Sequence, residues 1–293
     1  MTKESENDFR KRMKLYPSHF DLDIRFGSTT VNRRNIIGKL CDQMRTTGFD
    51  LDSELTRTLN FLSYIHSRLH EYQEAKDYVN NALSKRPDDV MALSNQAWMH
   101  WRRDEKFEAW SILDKLEKLK DRLDLIIIAK GEQAFAYSRF GPKYYKKAID
   151  LYKDVITAAA QCEIEETYLH LWQFGLGLIL KRQLHIGNVF IYDYVSECVR
   201  SMNDAFDAFY NVATKAKTIK IKARSWVALG ELSYSVHNND MFSPENKEGL
   251  PKEITGKNLI SFSTGLMRYV MTMFMSLKGV ENMHGIGKTM TNQ

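Results

Sequence analysis

Cysteine and proline are scarce in this chain of 293 residues. The three cysteines, Cys41, Cys162 and Cys198, are odd in number and far apart, so they indicate neither a disulfide framework nor a zinc-binding pattern. A reducing compartment is therefore the simpler expectation. Of the five prolines, none lies between Pro142 and Pro244, so no proline interrupts a helix in that long stretch.

Signals for strands, membrane spans and secretion are also missing. Period-two alternation bounded by Asn-Gly or Asp-Gly does not occur. The short apolar segment 124–129 is explained by a buried helix as well as by a strand. No apolar run approaches the roughly 18 residues of a membrane span, residues 1–14 are too charged for a signal peptide, and the sequence has no N-x-[ST] sequon. We therefore expect an all-α, cytoplasmic protein that does not contact a membrane.

The charge balance of the chain is mildly basic. Lysine and arginine number 42 against 37 aspartates and glutamates, which gives a net charge of +5. This excess permits an acidic partner but does not require nucleic acid. Hydrophobic residues make up 43% of the chain, which is enough for a sizeable core. The length is typical of about two domains.

A helical hairpin is repeated in the first half of the chain, with a period of about 34 residues. Residues 71–89 carry small and apolar side chains at helical spacing, but this segment is too short to bury its own apolar face. The preceding segment 56–70 has leucine and isoleucine at the same spacing, so the two are predicted to pack as a helix hairpin that ends at a proline. The next unit, 90–123, repeats the pattern, with Ala109 at the position that Ala75 has in the first.

These features resemble the tetratricopeptide repeats. The family pattern is a bulky residue, leucine, a small residue and tyrosine, followed by alanine, phenylalanine, alanine and proline at set positions. The first unit matches it at Leu59, Leu62, Ser63, Tyr72, Ala75, Ala82 and Pro87. The resemblance implies a right-handed α-solenoid of helix–turn–helix repeats. The predicted repeats are 56–89, 90–123, 127–160, 170–212 and 223–278, the last with an inserted loop at 236–256.

The solenoid is therefore predicted to span residues 51–278. Residues 1–50 are predicted to form a helical or irregular extension, and residues 279–293 a flexible polar tail. The segment 258–278 is apolar on nearly every face, whereas a terminal repeat normally has a polar outer face. Its methionines suit docking, so we expect it to contact further repeats or another chain, or to pack onto the fourth repeat.

The sequence also resembles two particular families of tetratricopeptide-repeat proteins. Residues 16–26, the order of the repeats and the late loop resemble the first half of the tetratricopeptide repeat protein 22 family. Segments 95–101 and 134–148 are similar to the interferon-induced proteins with tetratricopeptide repeats. The second family implies RNA binding in a deep basic pocket that draws on more repeats than this chain has.

In tetratricopeptide repeats, ligands contact fixed positions on the inner face of the first helix of each pair. At the thirteenth position, four successive repeats of this chain have arginine, and at the ninth position three of the four have an aromatic residue. The i, i+4 spacing places both positions on one helical face. The predicted partner-binding groove comprises Tyr64, Arg68, Trp98, Trp101, Arg102, Phe135, Arg139 and Arg182.

Arginines beside aromatic rings suit a ligand with spaced negative charges, because guanidinium groups bind carboxylate or phosphate and stack on rings. An acidic segment of a partner protein is the first hypothesis. Single-stranded RNA, whose bases would stack on Trp98 or Phe135, is the alternative. A structural explanation stays open beside both, because the helix dipole favours arginine near a helix end and aromatic residues at helical spacing often belong to a core.

Motifs for catalysis, cofactors and metals are weak. The segment 284–289 resembles a phosphate-binding loop, but Asn282 stands where that loop needs a glycine. His66 and His70 have the spacing of a metal-binding pair but no third ligand. The basic run 215–224 is a candidate for phosphate contact, although charge runs are usually solvated. We therefore expect a non-catalytic binding protein with no cofactor and no metal.

Overall fold

Helices are the regular secondary structure of the described part of the chain. The computed structural model describes residues 3–24, 30–46, 52–184, 194–237 and 250–252, and no strand occurs within them. This arrangement confirms the predicted all-α class, a tetratricopeptide-like α-solenoid. The helices are α1 (Lys3–Met13), α2 (Thr30–Thr46), α3 (Asp52–Arg68), α4 (Tyr72–Lys85), α5 (Val90–Arg102), α6 (Lys106–Glu117), α7 (Leu123–Arg139), α8 (Tyr145–Ala159), α9 (Glu166–Leu184), α10 (Tyr194–Lys215) and α11 (Ile219–His237).

Two compact units divide the chain, residues 1–179 and residues 180–293. In the first unit, α3 packs along α4, α5 along α6, and α7 along α8. In the second unit, α10 packs along α11. The predicted boundaries near residues 50 and 278, together with the apolar segment 258–278, lie outside the described residues and stay predictions.

Small residues allow the two helices of a hairpin to approach closely. Ser63 Oγ on α3 donates a hydrogen bond to the backbone carbonyl of Ala75 on α4 at 2.8 Å. Ala97 on α5 and Ala109 on α6 occupy the equivalent positions of the next hairpin, and both are fully buried. Because a larger side chain at these points would push the helices apart, the contacts fix how each helix is rotated against its partner.

The first two hairpins share one kind of turn. His66 Nδ1 bonds to Glu71 Oε2 at 2.7 Å, and one repeat later His100 Nδ1 bonds to Glu105 Oε2 at the same distance. The residue before each glutamate has a left-handed backbone with φ of 64°. The third hairpin turns instead at Gly141, whose φ of 93° suits a glycine. The hydrogen bond of His66 is therefore part of a turn that recurs in two successive hairpins.

A buried polar network joins the first helices of the three hairpins. Asn60 Nδ2 on α3 donates to Asp89 Oδ1 at 3.2 Å and to Glu132 Oε2 on α7 at 2.9 Å. Asp89 also caps α5 by accepting from the backbone N–H of Ala92 at 2.8 Å. Arg86 approaches the second oxygen of Asp89 at 3.6 Å. Two carboxyl groups thus converge on one amide, which sets the spacing of α3, α5 and α7.

This network makes folding sensitive to pH. Burial, followed by the charge of Asp89, raises the pKa of Glu132 from the ordinary 4.5 to about 8. Between these two values the folded chain holds a proton that the unfolded chain releases. The contribution of Glu132 to stability is therefore present at low pH and is lost as the pH rises through this range.

We predict that Glu132→Gln weakens the dependence of the free energy of unfolding on pH. Glutamine stays neutral and can still accept a hydrogen bond from Asn60. Urea unfolding of both proteins between about pH 5 and pH 8 measures the effect. The wild-type free energy of unfolding should fall more steeply with rising pH than that of the variant. Parallel declines in the two proteins would contradict the assignment of this proton to Glu132.

A second prediction concerns the contact between α7 and α9. A Cβ atom on Gly131 would lie 2.2 Å from Nε1 and 2.5 Å from Cε2 of Trp172. Gly131→Ala should therefore lower the free energy of unfolding by roughly 1–3 kcal/mol through overpacking. The control is Gly38→Ala on α2, where no atom lies within 4 Å, and helix propensity should raise stability by up to about 1 kcal/mol. Equal stability of Gly131→Ala and the wild type would disprove the close contact.

Candidate functional site

A pocket of about 430 Å³ lies where α2, the α3–α4 turn and the end of α5 meet. Three arginines line it from three different helices. None of its lining residues, all within the described part of the chain, is acidic. The lining consists of Arg33, Ser67, Arg68, Leu69, His70, Tyr72 and Arg102.

The repeat brings two of these arginines together. Arg68 is the last residue of α3, and Arg102 is the last residue of α5, one repeat later. Equivalent helices end at equivalent places in a stacked solenoid, so the two side chains reach the same pocket. Arg33 on α2 joins them and donates from Nη1 to the backbone carbonyl of Arg68 at 2.8 Å.

The electrostatic environment of Arg102 is positive. Burial lowers the pKa of Arg102, and the charge of Arg68 is the next cause. Among the described residues, no acidic side chain forms an ion pair with Arg102. The guanidinium carbon of Arg102 lies 5.5 Å from the centroid of the Phe20 ring. A negatively charged ligand group would therefore be attracted here.

The turn between α3 and α4 supplies the polar rim of the pocket. His70 has the left-handed φ of 64°, and its Nδ1 lies 2.9 Å from the hydroxyl of Tyr72. The guanidinium carbon of Arg103 lies 5.0 Å from the centroid of the Tyr72 ring. The rim thus holds hydrogen-bonding groups beside the arginines.

The predicted aromatic platform is different in the structure. Tyr64 is 2% exposed, while Trp101 and Phe135 are each 4% exposed. Trp98 is partly exposed, and its ring meets Phe9 edge-on with centroids 5.8 Å apart. The expectation that these rings lie open to a ligand is wrong for the three buried residues.

The N-terminal segment 3–24 packs against the rings of Trp101 and Tyr64. Phe9 stacks on Trp101 with centroids 3.9 Å apart and an interplanar angle of 4°. Phe20 meets Tyr64 edge-on at 5.1 Å. Next to it, the backbone N–H of His19 donates to Asn95 Oδ1 at 2.9 Å. The extension is therefore part of the core of the first unit.

Two predicted arginines do not line the pocket. Arg139 lies with its guanidinium carbon 4.6 Å from the centroid of the Phe135 ring, and the buried Arg57 approaches the same ring at 3.9 Å. Arg182 is partly exposed on the part of α9 that belongs to the second unit. The partner-binding role of the predicted groove residues stays a prediction.

Sequence reasoning missed five pocket residues, namely Arg33, Ser67, Leu69, His70 and Tyr72. Arg33 lies in the extension, and the repeat pattern does not say how that extension packs. His70 and Tyr72 were visible as part of the turn, but the family positions draw attention to the first helix alone. The apolar spacing of Phe9 and Met13 could have indicated that the extension contains a packed helix.

Two further candidates from the sequence are the basic run and the segment that resembles a phosphate-binding loop. The basic run 215–224 covers the end of α10 and the start of α11, where Lys215 and Lys217 are exposed. Segment 284–289 lies outside the described residues.

Within the described ranges, no group of three or more histidine, cysteine, aspartate or glutamate residues is placed to hold a metal ion. No described helix combines the length and apolarity that crossing a membrane requires.

Comparison with known proteins identifies the fold. No protein-family model matches the sequence, and no curated protein matches it significantly. A structure of the human IFIT1 dimer with PPP-AAAA is similar over 90% of this chain, with 15% sequence identity and a TM-score of 0.51. The chain spans 58% of the length of that protein chain.

Two further IFIT1 structures are similar at lower scores. The human dimer with m7Gppp-AAAA has 14% identity and a TM-score of 0.47, with 89% of this chain and 68% of that chain covered. A monomeric mutant with Gppp-AAAA has 14% identity and a TM-score of 0.46, with 96% and 78% covered. At these identities the likeness concerns the fold alone, and the likeness to the tetratricopeptide repeat protein 22 family stays a prediction.

We predict that Arg102 contributes nothing to stability. Arg102→Ala removes repulsion from Arg68, so the free energy of unfolding should stay constant or rise slightly at low salt, and the rise should vanish at high salt. The control is Arg57→Ala, which removes a buried guanidinium from the Phe135 ring and should cost about 2 kcal/mol. A comparable loss for Arg102→Ala would assign Arg102 a structural role.

Proposed function

We propose that this chain is a non-catalytic interaction module that binds an anionic segment of a partner protein. The observation that carries the proposal is the convergence of Arg33, Arg68 and Arg102 on a pocket with no acidic lining residue among those described. Arginine binds carboxylate and phosphate through paired donors. A hydrogen bond to a charged group contributes roughly 1.5–3 kcal/mol, so two or three of them would hold a short segment.

The pocket contains two residues of the predicted groove, Arg68 and Arg102. Segment 3–24 covers the rings of Tyr64 and Trp101, so a partner segment is held at the ends of α3 and α5. All three cysteines are free thiols, which suits a reducing compartment. We therefore propose that the protein acts in the cytoplasm.

RNA is the second candidate ligand. It is favoured by the likeness to human IFIT1, whose structure was determined with PPP-AAAA. Successive phosphates at the end of such a molecule would suit several arginines in one pocket. Burial of three predicted ring residues, Tyr64, Trp101 and Phe135, argues against RNA as the ligand. Single strands are usually held by bases that stack on open rings.

A binding assay separates these candidates. The probes are a fluorescent peptide of alternating glutamate and glycine, and a fluorescent tetra-adenylate with a 5′-triphosphate. The proteins are the wild type, the double variant Arg68→Ala/Arg102→Ala and the control Arg10→Ala/Arg122→Ala, which removes the same charge from exposed sites outside the pocket. Fluorescence anisotropy over a salt series gives the affinities.

The proposal expects the peptide to bind the wild type and the control, and to lose at least tenfold in affinity with the pocket variant. Preferential binding of the tetra-adenylate, with a steep dependence on salt, would favour RNA instead. If the pocket and control variants weaken binding equally, net charge rather than this pocket explains the attraction.

A further inference from the structure

We infer that the anion bound in this pocket is the phosphoryl group of a phosphorylated serine or threonine in the partner protein. This inference rests on the proposed function and narrows its ligand. Partner binding would then depend on a modification of the partner. The inference is carried by the charge of the pocket, by the directions from which its arginines come, and by the covering of the nearby rings.

The charge of the lining residues favours a ligand that carries more than one negative charge. Arg33, Arg68 and Arg102 bring three positive charges, and no described lining residue is acidic. A glutamate side chain of a partner carries one negative charge. A phosphoserine carries a charge of about −1.5 to −2 at neutral pH. The phosphoryl group therefore gains more from the same three neighbours.

The arrangement of the arginines also suits a tetrahedral group. They come from α2, α3 and α5, so arginines from three elements line the pocket. The two oxygens of a carboxylate lie in one plane, which a single planar guanidinium group matches with two parallel hydrogen bonds. A phosphoryl group has three acceptor oxygens that point in different directions. Three separate donors can each bind a different oxygen.

The rim and the size of the pocket fit a side-chain phosphate. The Tyr72 hydroxyl, held by His70 Nδ1 at 2.9 Å, offers a neutral hydrogen-bonding group beside the arginines. The volume of about 430 Å³ lies at the lower end of the roughly 300–1,000 Å³ of small-ligand pockets. This volume accommodates a phosphoserine or a phosphothreonine together with part of its backbone.

The covering of the rings favours a peptide over a nucleic acid. Tyr64 and Trp101 are packed against Phe20 and Phe9 of the N-terminal segment. Bases of a bound strand would find no open ring at these positions, although base stacking usually supports such binding. A phosphorylated peptide needs no base platform, since its recognition relies on the phosphate and the adjoining backbone.

Isothermal titration calorimetry with four probes tests this inference. Three are capped nine-residue peptides of glycine and alanine with phosphoserine, glutamate or serine at the centre. The fourth is a 5′-monophosphorylated tetra-adenylate. The proteins are the full chain, Arg102→Ala, Arg102→Lys and the exposed control Arg122→Ala, which carries the same charge change as the first variant. Circular dichroism checks that each variant is folded.

We expect the phosphoserine peptide to bind at least tenfold more tightly than the glutamate peptide, and the serine peptide to bind least. Arg102→Ala should lose about tenfold for phosphoserine. Arg102→Lys should recover part of that loss, because lysine keeps the charge without the paired donors. Arg122→Ala should change the affinity less than twofold.

Three results would overturn the inference in different ways. Equal affinity for the phosphoserine and glutamate peptides would reject phosphate selectivity and leave the proposed binding of an anionic segment standing. Tight binding of the tetra-adenylate with no binding of either anionic peptide would replace the protein partner by RNA. An affinity for phosphoserine that Arg102→Ala leaves unchanged would remove this pocket from the proposal.

Discussion

Close contact between small residues inside each helix pair is the constraint on which the rest of this structure depends. Ser63 reaches the backbone of Ala75, and Ala97 with Ala109 occupies the same positions one repeat later. Such contacts permit one rotation of each helix against its neighbour. Because that rotation is the same in successive hairpins, the last residues of α3 and α5 arrive at the same pocket. The charge of the pocket is therefore a consequence of how the hairpins pack.

The surface of the first helices is partly buried and partly accessible. One part is buried beneath segment 3–24, where Phe9 stacks on Trp101 and His19 bonds to Asn95. Another part is tied together by Asn60 and the two carboxyl groups that it contacts. The helix ends remain accessible, and there the arginines are concentrated. A tightly packed set of helices with charged ends is a physically reasonable support for a binding pocket, because packing restrains the helix ends.

The repeat and the all-α fold could be predicted from the sequence, since the period of the hairpins and the small residues that accompany it are local features. The juxtaposition of Arg68 and Arg102 follows from the same period. The contribution of Arg33 could not be predicted, because the extension carries no repeat that relates it to the hairpins. The prediction that the aromatic rings are open to a ligand was wrong for a related reason. Tyr64 and Trp101 lie on the first helices of their hairpins, but a segment distant in sequence covers them.

The central claim is that Arg68 and Arg102 act on one anion. Nuclear magnetic resonance of the arginine Nε–Hε groups during a titration with pyrophosphate tests it most directly. The account predicts that the signals of both residues shift together and fit one dissociation constant, while the signal of Arg122 stays in place. Separate constants for Arg68 and Arg102, or no shift at either, would contradict it.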